Sequence, residues 1–367
     1  MMRRWIALLL AALLVCALFA GCNMAGSEPG EEKTEQGTES KEKDAETEAL
    51  ADLVASGELP VSGTGSTCAT TLTAKEDYTL AVIVKNNTNP ACTGWMNGVA
   101  KACADMGVEC LQITPSVNDS VEEQIKIIEN MIERGVDAIA IAPVDSEGIL
   151  PGVRKAKEAG IPVVSMTTPC ADYELAFIGP TFYDTGYTMA EKVAEQLNGE
   201  GKIILLEGTP GAENAVDRLQ GINDALKDYP DIAIVASQTG NFKRTEGMTV
   251  TENLIQKYTD VDAIIALNDE MALGAIQALK AADMSDVLVT GFDCNEDAAN
   301  SIANGELWAS FNMDHFGIGY VAAVCLVLNL DYDITPNDGR VVFPEAKEAQ
   351  IVTADTVKDY MDNLAWY

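Results

Sequence analysis

Residues 263–279 read AIIALNDEMALGAIQAL and join an apolar run to a helical pattern through two polar residues. The run 263–267 is apolar without a break, as expected of a strand that is covered on both faces. Asn268 and Asp269 end it, and Asp269 is a candidate N-cap for the following helix. Apolar residues then recur at helical spacing. The stretch therefore predicts a strand, a turn and a helix, the repeating unit of a parallel sheet.

The same alternation runs from Tyr78 almost to the end of the chain. Apolar runs of strand length are followed by amphipathic stretches of about 12 to 16 residues, which is typical of βαβ units. About a dozen such signals are too many for one small sheet and favour two doubly wound parallel-sheet domains. The apolar runs are residues 80–84, 136–141, 161–165, 203–206, 263–267 and 287–289.

The charge and motif content narrows the function. The chain of 367 residues carries 57 acidic and 24 basic residues, for a net charge of −33, which argues against a nucleic acid partner. His315, the only histidine, has no accompanying triad pattern, and we expect it either to pack in a crossing segment between domains or to be exposed at the surface. No Cys-x-x-Cys pair or dinucleotide fingerprint occurs. We expect no catalytic residue, no metal and no cofactor.

The N-terminus predicts export and anchoring. Two arginines precede an apolar run, 5–19, and the small residues Ala20 and Gly21 precede Cys22. This pattern resembles a bacterial lipobox, so residues 1–21 are predicted to be a signal peptide and Cys22 a lipid anchor. A plain secretory signal is the alternative. Residues 22–77 are predicted to be an acidic flexible tether and linker, of which the part after residue 50 can dock locally.

Ligands of open α/β folds bind at the carboxyl ends of the strands. Amide and carboxylate side chains at those ends suit polyols, and an aromatic ring covers the apolar face of a sugar. Loop or helix capping is the alternative for each residue, including Asn214. The strand ends are Lys85–Cys92, Thr167 with Thr168, Gly208–Asn214, Asn268 with Asp269, and Gly291–Asp293.

From Tyr78 to about Val352 the chain resembles the type I periplasmic binding proteins, nearest the ribose-binding group. The resemblance implies two doubly wound lobes joined by a three-segment hinge, with the ligand cleft between them. The lobes would comprise 78–181 plus 314–343, and 182–313 plus 344–367. The motifs that carry it are Asn89-Pro90, Ile141-Ala142-Pro143, Gly160-Ile161-Pro162-Val163, Arg218-Leu219-Gln220-Gly221, Ala266 to Ala275, and Val289-Thr290-Gly291-Phe292-Asp293.

The resemblance also assigns ligand contacts. Asn89, Phe242, Asn268 and Asp293 match the family's contact positions. Other positions depart from the family, since its paired aromatics fall on Ala91 and Cys92, its Asp-Arg pair on Thr167 and Thr168, and its Gln near Met313. We expect Cys92, Thr167, Thr168 and Met313 to contact the ligand as part of a less polar cleft.

Two further positions bear on the site. The family's second-lobe Arg falls on Val216, and Arg218 is expected to face away because two residues turn a helix by about 200°. Trp95 either replaces a lost aromatic or belongs to a core stripe.

These observations predict a membrane-anchored extracytoplasmic receptor that is not an enzyme. Charged hydrogen bonds are strong, so their loss makes ribose a poor candidate and favours a deoxy-sugar, a small polyol or another modestly polar metabolite. The expected partner is an ABC transporter permease, and the expected state is a monomer. A receptor that signals to a membrane kinase or chemoreceptor is the alternative.

Overall fold

The computed structural model describes residues 36–56, 58–170, 174–336, 339–344 and 347–367. Internal contacts divide the chain into residues 1–46 and residues 47–367. Helix α1, Gln36–Ala55, begins in the first part and ends in the second. The predicted signal peptide and Cys22 lie outside the described residues.

The first lobe is built on a sheet with strand order β11-β5-β4-β3-β1-β2, in which the neighbouring strands are parallel. Its central strands are buried along their whole length because helices cover both faces. The strands are β1 Thr79–Ile83, β2 Glu109–Ile113, β3 Ala138–Ile141, β4 Val163–Met166, β5 Ala176–Gly179 and β11 Arg340–Val342. The helices are α2 Pro90–Met106, α3 Val121–Arg134, α4 Leu150–Glu158 and α10 His315–Tyr332.

The second lobe repeats the plan with strand order β12-β10-β9-β8-β6-β7. These strands are parallel except for β12, which runs antiparallel to β10. The strands are β6 Glu200–Glu207, β7 Asp231–Thr239, β8 Ala263–Ala266, β9 Leu288–Asp293, β10 Ala309–Asn312 and β12 Ile351–Thr353. The helices are α5 Phe182–Gln196, α6 Glu213–Ala225, α7 Arg244–Ile255, α8 Asp269–Ala281, α9 Glu296–Ala303 and α11 Val357–Asp359.

Three chain segments connect the two sheets. The chain passes from β5 to α5, returns from β10 to α10, and passes again from β11 to β12. The predicted fold class, two α/β lobes with parallel sheets, is confirmed.

Helix α10 is the central helix of the first lobe. It is long and apolar enough to span a membrane, yet 78% of its apolar window is buried inside the protein. It crosses α2 so closely that a Cβ on Gly98 would lie 2.0 Å from the Phe316 carbonyl oxygen. The apolar composition of this helix therefore reflects a core position between α2 and the sheet.

The segment between α1 and β1 differs from an extended linker. Cys68 and Leu72 of this segment are buried in the hydrophobic core. The Gly65 N–H donates to the Asp314 carboxylate at 3.1 Å, and Ala74 N–H donates to the Met106 carbonyl oxygen at 2.9 Å. The apolar side chains and the backbone bonds hold this segment, residues 59–75, against the body. We call it the strap.

Candidate functional site

A cavity of about 420 Å³ lies where the carboxyl ends of the two sheets face each other. Every group of strand-end residues that the sequence singled out contributes to its wall. The residues that line it are Lys85, Asn86, Thr88, Asn89, Ala91, Cys92, Trp95, Asn118, Asp119, Val144, Thr167, Phe182, Thr209, Ala212, Asn214, Arg218, Asn241, Phe242, Lys243, Arg244, Thr245, Asn268, Glu270, Asp293, Met313 and His315.

The loop after β1 shapes the first-lobe wall. Asn86 Oδ1 accepts the backbone N–H groups of Thr88 and Asn89 at 3.1 and 2.9 Å, which folds the loop, and its Nδ2 donates to Asp119 at 2.7 Å. Asn89 caps α2, since its Oδ1 accepts the Ala91 N–H at 2.9 Å. Cys92 lies one turn further, and burial raises the pKa of its thiol to about 11. Cys92 therefore stays protonated and lines the wall as a small apolar group.

Lys85 leaves the end of β1 and is half-buried, with its ammonium facing the cavity. Its Nζ donates to Thr168 Oγ1 at 2.8 Å, and that hydroxyl in turn reaches Asn214 Oδ1 of the second lobe at 3.5 Å. Enclosure lowers the pKa of the Lys85 amine to about 8. From the sequence, Lys85 was only the first residue of a predicted strand end. The position of its amine inside the cavity depends on tertiary contacts, which the sequence does not reveal.

Thr167 and Thr168 do not share one role. Thr167 lines the cavity, has φ of 60°, and its buried Oγ1 has no hydrogen-bond partner among the described residues. Thr168 is fully buried behind Lys85 and does not line the cavity, because its hydroxyl is engaged by Nζ. The expectation that Thr168 contacts a ligand is corrected, since Thr168 supports Lys85 instead.

Four side chains meet at the base of the cavity around His315. The Trp95 indole N–H donates to His315 Nδ1 at 2.9 Å, so the imidazole proton resides on Nε2 and is donated to Asp293 Oδ1 at 3.0 Å. Trp366 completes the cluster by donating its indole N–H to the Asp293 carbonyl oxygen at 2.7 Å. His315 contacts both indoles edge-on, with centroid distances of 5.3 and 4.9 Å. The cluster fixes the Asp293 carboxylate at the cavity wall.

Trp95 combines a core position with a place in the cavity wall, and its contact with a ligand stays a prediction. It is 4% exposed, belongs to the core of the first lobe, and lines the cavity. His315 packs beside a crossing segment as expected, and in addition it orients a cavity carboxylate.

The strand that opened the sequence analysis ends at the second-lobe wall. Asn268, not Asp269, is the N-cap of α8, and its Oδ1 accepts the Met271 N–H at 3.0 Å. Its Nδ2 donates to the Phe242 carbonyl oxygen at 3.2 Å, which leaves a second amide hydrogen for a solute. Asp269 turns inward and accepts bonds from Ser310 Oγ at 2.6 Å and Asn295 N–H at 2.9 Å. The N-cap is therefore one residue earlier than the sequence predicted.

Phe242 and Met313 line the cavity as predicted. Phe242 has φ of 58°, and its ring covers Gly208, where a Cβ would lie 2.1 Å away. Met313 is 1% exposed, and its sulfur lies 3.7 Å from Arg218 Nη2. Phe242 provides an apolar face at the side, and Met313 supports the guanidinium.

Arg218 lines the cavity and Val216 does not, which corrects the sequence expectation. Helix α6 begins at Glu213, so Asn214 and Arg218 lie one turn apart on the face towards the cavity, while Val216 is 56% exposed. The Arg218 guanidinium donates to the Leu267 carbonyl oxygen at 2.7 Å and lies 4.2 Å from the Phe292 ring centroid. Burial lowers the pKa of Arg218 to about 10. Asn214 faces the cavity rather than capping the helix.

Backbone strain is concentrated around this cavity. Thr167, Asn241, Phe242, Asp293 and Asp119 have positive φ although none is a glycine. Such conformations cost on the order of 1–3 kcal/mol each and persist where the surrounding structure holds them for a function. No cluster of histidine, cysteine and carboxylate groups that could bind a metal occurs in the described ranges.

Comparisons with known proteins agree with this geometry. The model of a family described as periplasmic binding protein domain matches residues 80–332. The ribose import binding protein of Bacillus subtilis (strain 168) is 34% identical over 249 residues, which cover 68% of this chain and 80% of that protein.

Two solved structures share the fold. An ABC transporter periplasmic solute binding protein from Actinobacillus succinogenes 130z with bound D-allose has a TM-score of 0.71 and 26% identity, over 77% of this chain and 100% of that chain. An ABC transporter solute binding protein from Bacillus halodurans C-125 with bound myo-inositol has a TM-score of 0.70 and 28% identity, over 78% and 98%.

Proposed function

Because the chain belongs to the periplasmic binding protein domain family, we propose that it captures a small polyhydroxylated solute, a sugar or polyol, and delivers it to an ABC importer. Membership in a family of binding proteins confirms the prediction that the chain is not an enzyme. The observation that carries the proposal is the cavity between the two lobes, where polar groups converge beside an apolar ring.

The polar groups of the cavity suit hydroxyl groups of a solute. Asp293 Oδ2 makes no hydrogen bond among the described residues and can accept a hydroxyl proton, while Asn268 offers an amide hydrogen. The Phe242 ring provides an apolar face of the kind that covers the C–H side of a sugar ring. The Thr167 hydroxyl adds a further donor and acceptor.

Closure of the two lobes over the solute is the proposed mechanism. Contacts between the lobes already occur at the cavity mouth, where Lys243 Nζ lies 3.8 Å from Asp119. A solute that binds both walls stabilises the closed form, which a permease then recognises. We propose that the lobes comprise 78–181 plus 314–343, and 182–313 plus 344–367.

Calorimetry with the full chain in detergent micelles tests this proposal. We expect at least one of ribose, D-allose and myo-inositol to bind at micromolar concentration or below. Phe242→Ala should weaken that binding at least about 10-fold, because the ring buries apolar surface against the solute. Val117→Ala, at a position 58% exposed, is the control that should leave binding unchanged. An amino acid or a purine recovered from the purified protein by mass spectrometry would overturn the proposal.

We further propose that Cys22 carries a lipid that holds the protein on the extracytoplasmic face of the membrane, where the permease lies. The lipobox-like sequence before Cys22 supports this. Growth with a clickable fatty acid should label the wild type and the Cys16→Ser control, whereas Cys22→Ser should lose both the label and the membrane attachment. Label retained in Cys22→Ser would contradict the anchor.

A further inference from the structure

Basic residues outnumber acidic residues by one among the residues that line the cavity, although the chain is strongly acidic. The protein has 57 acidic and 24 basic residues, whereas four basic residues and three acidic residues line the cavity. The basic ones are Lys85, Arg218, Lys243 and Arg244, and the acidic ones are Asp119, Glu270 and Asp293. The excess of basic residues in the cavity wall bears on the charge of the solute that the cavity would bind.

The charges at the cavity mouth are satisfied within the protein. Arg244 binds the Glu270 carboxylate through two hydrogen bonds, at 3.0 and 2.7 Å, and also contacts Asp297 at 2.7 Å. Lys243 lies 3.8 Å from Asp119 and 3.3 Å from Glu246. These groups do not require a charged partner from the solute.

The two inner cations lack such a partner. Neither Lys85 Nζ nor the Arg218 guanidinium has a carboxylate oxygen within 4.0 Å among the described residues. Lys85 donates to a hydroxyl and Arg218 to a carbonyl oxygen, both neutral acceptors. The facing carboxylate, Asp293, already accepts a hydrogen bond from His315 Nε2. Carboxylates act on the two inner cations only from a distance, Asp119 and Asp293 on Lys85 and Asp293 on Arg218. Both cations therefore lack a direct ion-pair partner in an enclosed space.

Resting on the function proposed above, we propose that the solute carries one carboxylate, so that the natural ligand is a polyhydroxylated monocarboxylic acid, such as an aldonate or a uronate. Its carboxylate accepts hydrogen bonds from Lys85 and faces the charge of Arg218. Its hydroxyl groups donate to Asp293 and accept from Asn268 and Thr167. A carboxylate supplies the ion-pair partner that both inner cations lack, whereas Asp293 disfavours a second anionic group and therefore a phosphate dianion.

Matched acid and neutral pairs test the charge directly. Calorimetry on the full chain in detergent micelles compares D-gluconate with D-glucitol, D-glucuronate with D-glucose, and D-galacturonate with D-galactose, and includes glucose 6-phosphate. A charged hydrogen bond corresponds to about 10- to 150-fold in affinity, so we expect at least one acid to exceed its neutral partner by that factor. Glucose 6-phosphate should bind more weakly than the preferred acid.

Substitution of Lys85 tests whether this residue causes the preference for the acid over its neutral partner. Lys85→Met should reduce the acid-to-neutral ratio by about 10- to 150-fold and change binding of the neutral partner less. Lys126→Met, at an exposed position on α3, is the matched control and should keep the wild-type ratio. A ratio unchanged in Lys85→Met would overturn the assignment to Lys85. Because the pairs are also compared on the wild type, the test stands even if Lys85→Met fails to fold.

The outcomes separate this inference from the proposed function. A neutral sugar or polyol that binds more tightly than its acid overturns the inference and leaves sugar capture intact. An amino acid or a purine as the bound molecule overturns both. Tighter binding of the phosphate than of every acid, or no binding of any acid at about 1 mM, also overturns the inference.

Discussion

Some residues of the cavity wall carry polar atoms that make no hydrogen bond within the described part of the protein, or have a strained backbone. The Thr167 hydroxyl is the clearest case, because it is buried, strained and without a partner among the described residues. Thr290 has the same kind of unpartnered hydroxyl but does not line the cavity. A comparison of Thr167 with Thr290 therefore distinguishes the effect of an unsatisfied buried hydroxyl on stability from the contribution of that hydroxyl to solute binding.

Thr167→Val should weaken solute binding and leave the fold at least as stable. Loss of a neutral hydrogen bond to the solute lowers affinity about 2- to 13-fold, while removal of a buried unsatisfied hydroxyl raises the free energy of unfolding by about 1 kcal/mol. Calorimetry with the tightest-binding probe and urea denaturation measure the two effects. Thr290→Val is the control, and we expect it to show the gain in stability alone. Equal binding by both variants would contradict a contact between Thr167 and the solute.

The Asp269 carboxyl predicts a dependence of stability on pH. Burial, assisted by the nearby Asp293 carboxylate, raises the pKa of Asp269 well above its usual range. The folded state then holds this proton at pH values where the unfolded state has lost it. Its contribution to stability is therefore full below the unfolded pKa of about 4 and is lost as pH rises through the folded pKa.

Asp269→Asn should remove this part of the pH dependence. In urea denaturation from acidic to neutral pH, the unfolding free energy of the wild type should fall more steeply with rising pH than that of the variant. Asp286→Asn, at an exposed position in the same lobe, should follow the wild type. A variant with the same slope as the wild type would show that Asp269 is ionised in the folded protein.

At the scale of elements, helix α6 decides which of positions 216 and 218 lines the cavity. Its first residue is Glu213, so Asn214 and Arg218 share a face and Val216 lies on another. The geometric rule used on the sequence was sound, since two residues do turn a helix by about 200°. The sequence expectation was wrong because it placed Val216, and not Arg218, on the inner face of the helix. The family's arginine matches Arg218, which is buried, if it is aligned two residues after Val216, which is exposed.

Substitutions on the two faces of α6 should therefore differ sharply. Arg218→Met removes a buried guanidinium from the cavity wall and should weaken solute binding about 10-fold or more, because hydrogen bonds and charge attraction to it are lost. Val216→Ala should change neither affinity nor thermal unfolding, since the side chain is 56% exposed. Calorimetry on both variants checks this. A larger loss of affinity in Val216→Ala would restore the original assignment.

The elements themselves were predictable because their signals are local. The apolar runs at 80–84, 203–206 and 263–267 correspond to β1, β6 and β8, since strands covered on both faces consist mainly of apolar residues. The location of the cavity at the carboxyl ends of the strands followed from the topology of parallel sheets alone. The depth of the Lys85 amine and the role of His315 were not predictable, because each depends on a side chain more than 80 residues away in the sequence. Long-range pairing leaves no periodic signal.

At the scale of the whole molecule, the strap ties the region before the first strand to the point where the chain crosses between lobes. Gly65 donates to Asp314, and Asp314 also caps α10 through the Gly317 N–H at 2.9 Å. The sequence predicted that the part of the tether and linker after residue 50 can dock locally, and its apolar residues Cys68 and Leu72 are buried. A small number of apolar groups suffices to dock a segment, and composition averaged over the segment conceals them.

The cluster around His315 gives the protein an internal optical reporter. Trp95 and Trp366 both donate their indole N–H groups to atoms at the cavity base, to His315 and to Asp293 respectively. Because indole emission depends on hydrogen bonding and local polarity, occupancy of the cavity should change the intrinsic fluorescence without any label. Trp95→Phe should abolish most of that change, and Trp308→Phe, outside the cavity wall, should preserve it. Capture of the solute can then be followed in real time on the unmodified chain.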